Sequence, residues 1–136
     1  MLNFLIFRTD RIGDFLLTAI LINSIKRNNP NIRIDIVASQ KNYKYIKTFA
    51  QVDNVLVLKN TFLEKLKLFF KLKKEKYDCV IIHDNKKRSL FVSKFLKSKI
   101  ILLSDDKEIT HLEQIKLILN SLNYNFSESD LNFFEN

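Results

Sequence analysis

Short apolar runs alternate along this chain with longer stretches in which apolar residues return every three or four positions. The first kind suits buried strands and the second amphipathic helices. The pattern predicts strands over 2–7, 32–38, 54–58, 78–83 and 99–103, and helices over 14–28, 41–49, 61–76, 86–96 and 109–122. The first run is apolar almost throughout, as expected of a central strand buried on both faces. In the first helix, Phe15, Leu16, Thr18, Ala19, Ile22 and Ile25 fall near one face. Lys26 and Arg27 complement the dipole in its last turn, and Pro30 bars its continuation. Ile32, Ile34 and Ile36 alternate with Arg33 and Asp35 in the second strand, and Ser39 is placed to cap the helix that follows.

Strand and helix alternate five times. This predicts an α/β fold: a Rossmann-like parallel five-stranded sheet with helices on both faces. Right-handed crossovers with one reversal give the order 3-2-1-4-5. Residues 1–124 then form the domain and 125–136 a polar tail containing Ser127, Glu128, Ser129 and Asp130. Strands one and four flank the switch point, where ligands of such sheets bind. Their carboxyl ends carry residues 8–13 and His83-Asp84-Asn85.

Gly13 is the chain's one glycine. A residue type used once is expected where another side chain would clash. A single glycine excludes both the dinucleotide fingerprint and the phosphate loop. Asp14 stands beside it at a helix amino terminus, where dipole and free amides favour the anion. By position it is either an N-cap or a catalytic base. Arg8 and Arg11 flank Thr9-Asp10; they either bind an anionic ligand or pair with Asp10 and Asp14. His83 and Asp84 face the same crevice but make a poor ligand set, so no metal site is expected. His111, in Thr110-His-Leu-Glu113, reads as part of a helix start with Thr110 near the cap.

With 136 residues, 46% of them hydrophobic, the chain can build one core. A net charge of +8 favours acidic partners, although Lys, Asn, Ile and Phe abound together as in products of AT-rich genomes. The single Cys79 permits no disulfide within the chain and points to a reducing compartment. The apolar run 2–7 is too short for a signal core or a membrane span. These features predict a cytoplasmic, soluble protein able to touch a membrane surface. The third helix is the most basic segment, with Lys65, Lys67, Lys71, Lys73 and Lys74 beside an apolar stripe of Leu63, Leu66 and Phe70. The simplest reading is an ordinary amphipathic helix with a solvated lysine face; a sharper one places it near anionic headgroups. Nucleic acid is disfavoured, because no known module matches and the aromatics read as core.

The stretch 4–18, Phe-Leu-Ile-Phe-Arg-Thr-Asp-Arg-Ile-Gly-Asp-Phe-Leu-Leu-Thr, with Asn-Pro and Ile-Asp-Ile-Val-Ala after it, resembles the amino terminus of the heptosyltransferase family, glycosyltransferase family nine. Tyr77-Asp-Cys-Val-Ile-Ile-His83 with Arg88-Ser89, and His111-Leu-Glu-Gln within the last helix, are similar to later family segments in the same order. The resemblance implies a GT-B glycosyltransferase of lipopolysaccharide core biosynthesis, in which the first Rossmann-like domain receives the acceptor. ADP-heptose, the implied donor substrate, needs a second domain or chain beyond these residues. No cofactor is implied for this domain. Asp14 matches the family's proposed general base, which takes the acceptor hydroxyl's proton as the sugar is transferred with inversion. Gly13 matches the family glycine and lets the acceptor approach. Arg8, Thr9 and Arg11 lie in the loop that would hold acidic sugars or phosphates. Asn85 departs from the family's usual glycine, and asparagine also tolerates positive φ. The implied partner is a lipid-anchored acidic glycan, with peripheral contact at the cytoplasmic membrane face. The alternatives are a non-catalytic module that binds acidic glycan or membrane, and a basic nucleic-acid-binding domain.

Overall fold

The computed structural model describes residues 2–84, 86–94, 96, 99–102 and 109–132. Asn85, the end of the predicted fifth strand at Leu103, and the last residues of the polar tail lie outside the described residues. The elements run β1 (Asn3–Phe7), α1 (Ile12–Asn28), β2 (Arg33–Ala38), α2 (Tyr43–Ile46), β3 (Asn54–Val57), α3 (Phe62–Glu75), β4 (Cys79–Ile82), α4 (Lys87–Ser93), β5 (Lys99–Leu102) and α5 (His111–Ser121). A 3-10 turn follows at Glu128–Leu131.

All strand pairings are parallel. The strands lie in the order β3-β2-β1-β4, and the backbone of β5 extends the sheet beside β4. The central strands are buried on both faces, as their unbroken apolar runs require. One face carries α1, α2 and α5, through Phe15, Ile22, Ile25, Ile46, Ile115 and Leu119. The other carries α3 and α4, through Leu68, Leu72 and Val92. The sheet is therefore the middle of three layers.

The alternation in β2 does not mark an exposed edge. Asp35 is buried, and its carboxylate accepts from Arg33 at 2.8 Å, Tyr77 Oη at 2.6 Å and Asn54 Nδ2 at 3.0 Å. A buried charge held by three donors is tolerated where a lone one is not. The predicted helix at 41–49 contracts to the four residues of α2. Its expected first turn is used by a Ser39–Asn42 turn, in which the Ser39 amide donates to Asn42 Oδ1 at 2.9 Å. Ser39 is therefore not its N-cap; Asn42 is.

Positive φ occurs at Lys76 (54°) and Asn123 (61°), not at Gly13. A Cβ built on Gly13 would meet nothing within 4 Å. The expectation that the glycine relieves a clash is thus corrected: Gly13 lies in the first turn of α1 and leaves open space. The 3-10 turn packs against α1, where Asp130 is buried between Arg27 Nε at 2.8 Å and Ser24 Oγ at 2.7 Å. Burial alone would raise the Asp130 pKa. Hydrogen bonds from Arg27, Ser24 and the Ser127 amide outweigh it and hold the carboxyl below its usual range.

Candidate functional site

Register places the site. Phe7 is level with Val37 on β2 and Ile82 on β4, so the three strands end within one residue of one another. The Arg8 amide donates to Val37 O at 2.9 Å, and the His83 and Asp84 amides both donate to Phe7 O at 3.2 Å. The loops leaving β1, β2 and β4 thus start from one rigid edge.

Arg8 turns inward and is 5% exposed. Its guanidinium donates to the carbonyl of His83 and, through Nε, to Asp14 O at 3.1 Å. Asp10 Oδ1 lies 3.3 Å from Nε and Asp14 Oδ1 lies 3.9 Å from Nη2. The pairing of Arg8 with Asp10 and Asp14 that the sequence leaves open is thus present. Burial pulls its pKa below the usual guanidinium value, while Asp10, Asp14 and Asp84 push it back up. Asp10 shows the reverse balance: burial raises its carboxyl and Arg8 opposes the rise. Asp10 Oδ1 has no hydrogen-bond donor among the described residues.

Thr9 is buried too. Its amide donates to Asp84 Oδ2 at 3.0 Å and its hydroxyl donates to the same oxygen. Asp84 also accepts from Ser89 Oγ at 2.7 Å and the Lys86 amide at 3.2 Å. It therefore clamps the β1 loop to the start of α4. Arg88 completes the clamp, with Nη2 donating to Thr9 O at 2.8 Å. On the other side Asn42 Nδ2 donates to Arg8 O at 2.9 Å.

Asp14 is the third residue of α1, whose N-cap is Arg11, so the N-cap reading of Asp14 is corrected. Its side chain is 34% exposed and 3.8 Å from Arg11 Nε, which is 88% exposed. The Arg11 amide donates to Asp14 Oδ2 at 3.4 Å. A crevice of about 510 Å³ opens beside this loop, lined among others by Asp10, Arg11, Ser39, Lys41, Lys86 and Arg88. Four of those six carry positive charge. Gly13 and Asp14 are not in the lining; Asp14 adjoins it through Arg11, 3.8 Å away. A larger cavity of about 760 Å³ lies away from this edge, against the second half of α1 and the 3-10 turn. The sequence reading names Arg8, Thr9, Arg11, Gly13 and Asp14, and the structure gathers all of them at one loop. It misses Asn42, Lys41 and Lys86. Arg88 and Ser89 stand in a quoted motif but carry no assigned role there.

His83 lies behind the site, fully enclosed, with Nδ1 2.7 Å from Thr18 Oγ1. Burial, then the charges of Arg8 and His111, push its pKa down to about 3. The ring is neutral in the folded protein while the unfolded chain protonates it near pH 6.5. Its stabilising contribution is whole above pH 6.5 and is lost as pH falls toward 3. Unfolding free energy is expected to drop by roughly 2 kcal/mol between pH 6.5 and 5, at about 1.4 kcal/mol per pH unit. Urea titrations at the two pH values measure this; equal midpoints would remove it. His111 is the first residue of α5, where the Thr110–Glu113 capping box forms as the sequence predicts.

Among the described residues no group of three or more His, Cys, Asp or Glu is placed to hold a metal ion. No described helix is long and apolar enough to cross a membrane.

No protein-family model matches the chain, and no curated protein matches it in sequence. Solved structures do match. E. coli heptosyltransferase WaaC with ADP superposes with a TM-score of 0.80 at 17% identity, over 93% of this chain and 49% of that one. The glycosyl transferase family 9 protein from Veillonella parvula DSM 2008 gives 0.69 at 14% identity, over 85% and 40%. E. coli ADP-heptose lps heptosyltransferase II gives 0.67 at 18%, over 85% and 39%. The chain spans half or less of the length of these structures. Their shared feature with it is the α/β fold.

Proposed function

We propose that this chain is the acceptor-side domain of a heptosyltransferase-type glycosyltransferase. One observation carries the reading: the Asp14 carboxylate stands partly exposed at the start of α1, beside a crevice lined by Arg11, Lys41, Lys86 and Arg88. The likeness in fold to heptosyltransferases supports it. The acceptor is an acidic glycan of the lipopolysaccharide core type, anchored in lipid at the cytoplasmic membrane face. The four cations hold its carboxylates or phosphates by charge-assisted hydrogen bonds. Gly13, with no side chain in the open space before it, admits the acceptor to Asp14.

The reaction follows from that placement. Asp14 accepts the proton of the acceptor hydroxyl, whose oxygen attacks the anomeric carbon of an ADP-heptose held by a second domain. The bond to the diphosphate breaks as the new glycosidic bond forms, ADP leaves, and the carbon inverts. Arg8 keeps Asp14 in place through its backbone oxygen and carboxylate, and does not touch the acceptor.

Calorimetric titration with a delipidated acidic core glycan tests the acceptor reading. Saturable binding is expected, weakened about tenfold or more by Lys41→Ala with Lys86→Ala, since each charged hydrogen bond contributes about 1.5–3 kcal/mol. Both lysines are exposed, so the fold is spared. Absence of binding at low salt would overturn the assignment. Binding with no transfer, once ADP-heptose and a donor domain are supplied, would leave a glycan-binding module.

A further inference from the structure

The apolar stripe of Leu63, Leu66 and Phe70 in α3 does not meet the core. The helix's core contacts are Leu68, Leu72 and the half-buried Phe69, while Phe62 (80% exposed), Leu63 (61%), Leu66 (38%) and Phe70 (60%) face out. At 3.6 residues per turn these four fall within an arc of about 100°, separate from the buried arc. Lys67, Lys71 and Lys74 border that arc on its solvent side. Across a groove of about 280 Å³ lined by Phe62, Lys65, Leu66, Phe69, Phe91 and Val92 stands α4. There Leu90 (40%) and Phe91 (63%) are exposed between Lys86, Lys87 and Lys94. Two helices thus present one apolar surface with a lysine rim, on the same side of the sheet. An exposed apolar surface rimmed by polar residues marks an interaction site.

We propose that the α3–α4 face seats the protein on an anionic lipid bilayer, the aromatic side chains entering the headgroup boundary and the lysines pairing with lipid phosphates. The charge pattern selects this occupant. α3 carries five lysines against Glu64 and Glu75. An apolar stripe flanked by lysine is the arrangement that binds an anionic interface, where both contributions act together. A protein partner for a purely apolar groove would not require the cationic rim. Position supports the same choice. Asn60 lines the basic crevice and Phe62 begins the exposed stripe, while on α4 Arg88 lines the crevice and Phe91 the groove. A bilayer against this face would lie alongside the crevice mouth, and a lipid-anchored ligand could reach it without leaving the membrane. The membrane contact itself does not rest on the transferase reading.

Flotation of the full chain with vesicles tests the proposal. Vesicles of phosphatidylcholine with one part in four of phosphatidylglycerol should carry the protein up, and pure phosphatidylcholine vesicles should not. Phe62→Ser with Phe70→Ser should weaken binding about tenfold or more by removing buried apolar area. Lys67→Gln, Lys71→Gln and Lys74→Gln should each weaken it about fivefold, and salt should weaken the wild type. All five positions are exposed, and circular dichroism checks that the variants fold. No flotation on anionic vesicles would overturn the proposal. Equal flotation of the double phenylalanine variant would also overturn it, because attraction would then be electrostatic alone. Loss of flotation together with a dimer that the phenylalanine changes dissolve would assign the face to self-association instead. These vesicles contain no glycan, so failure here is distinguishable from failure of the crevice to bind acceptor.

Discussion

Asp14→Asn is expected to leave the fold intact and to lower sugar transfer by about 10²–10⁴-fold, the usual range for removing a general base. The asparagine fills the same space and still accepts the Arg11 amide, so the helix start survives. The ion pairs it gives up are long, at 3.8 and 3.9 Å, and Arg11 is largely solvated. Loss of the solvated Arg11 pair costs about 1 kcal/mol or less, and the buried Arg8 keeps Asp10 at 3.3 Å and the backbone carbonyls of His83 and Asp14. The two readings of Asp14 therefore separate cleanly. A structural carboxylate would show its effect in the urea midpoint, and a base would show it in turnover with acceptor affinity preserved. The first is measured on the chain alone, the second on the chain assembled with a donor domain and ADP-heptose. Turnover within threefold of wild type would exclude the base.

What the sequence displays and what it hides follow from how far each interaction reaches. The strand order is legible because it depends on local periodicity and on the handedness of crossovers. So is the Thr110–Glu113 cap, which spans four residues. The roles of Arg8 and Arg11 are not legible. They lie three residues apart in one loop with the same charge, and only the packing of β4 makes one buried and the other exposed. The α3 face is hidden for another reason. Its sequence carries two apolar arcs, and periodicity reports amphipathic character without saying which arc meets the sheet. The single glycine misleads because the rarity of a residue type does not report conformational need at its position. Among the described residues the left-handed positions went to Lys76, which carries no local signature of that backbone, and to Asn123, of a residue type that tolerates it just past a helix. Asn42, fully buried beneath Arg8, looks in sequence like any polar residue of a loop.

Asp84→Ala is expected to be the most destabilising single change at the site, lowering the unfolding free energy by about 3–5 kcal/mol. Asp84 gathers four donors in a place only 7% exposed: the Thr9 amide and hydroxyl, the Ser89 hydroxyl and the Lys86 amide. Alanine leaves the Thr9 amide and two hydroxyls buried without acceptors, and each such group forfeits its hydration. Asparagine retains one oxygen but turns an amide donor toward groups that also donate, so Asp84→Asn should fall between. The contacts join residues 75 positions apart, and their loss frees the β1 loop from α4. Arg88 would then lose its register against Thr9, and with it the crevice would lose a fixed cation. Anion affinity should fall along with stability in Asp84→Ala. In Arg88→Gln the affinity should fall with a smaller loss of stability, because Asp84 keeps all its donors. Equal urea midpoints for wild type and Asp84→Ala would show that the clamp does not hold this edge. The crevice would then depend on the strand ends alone, and Arg8, fixed to His83 across β1 and β4, would be its remaining organiser.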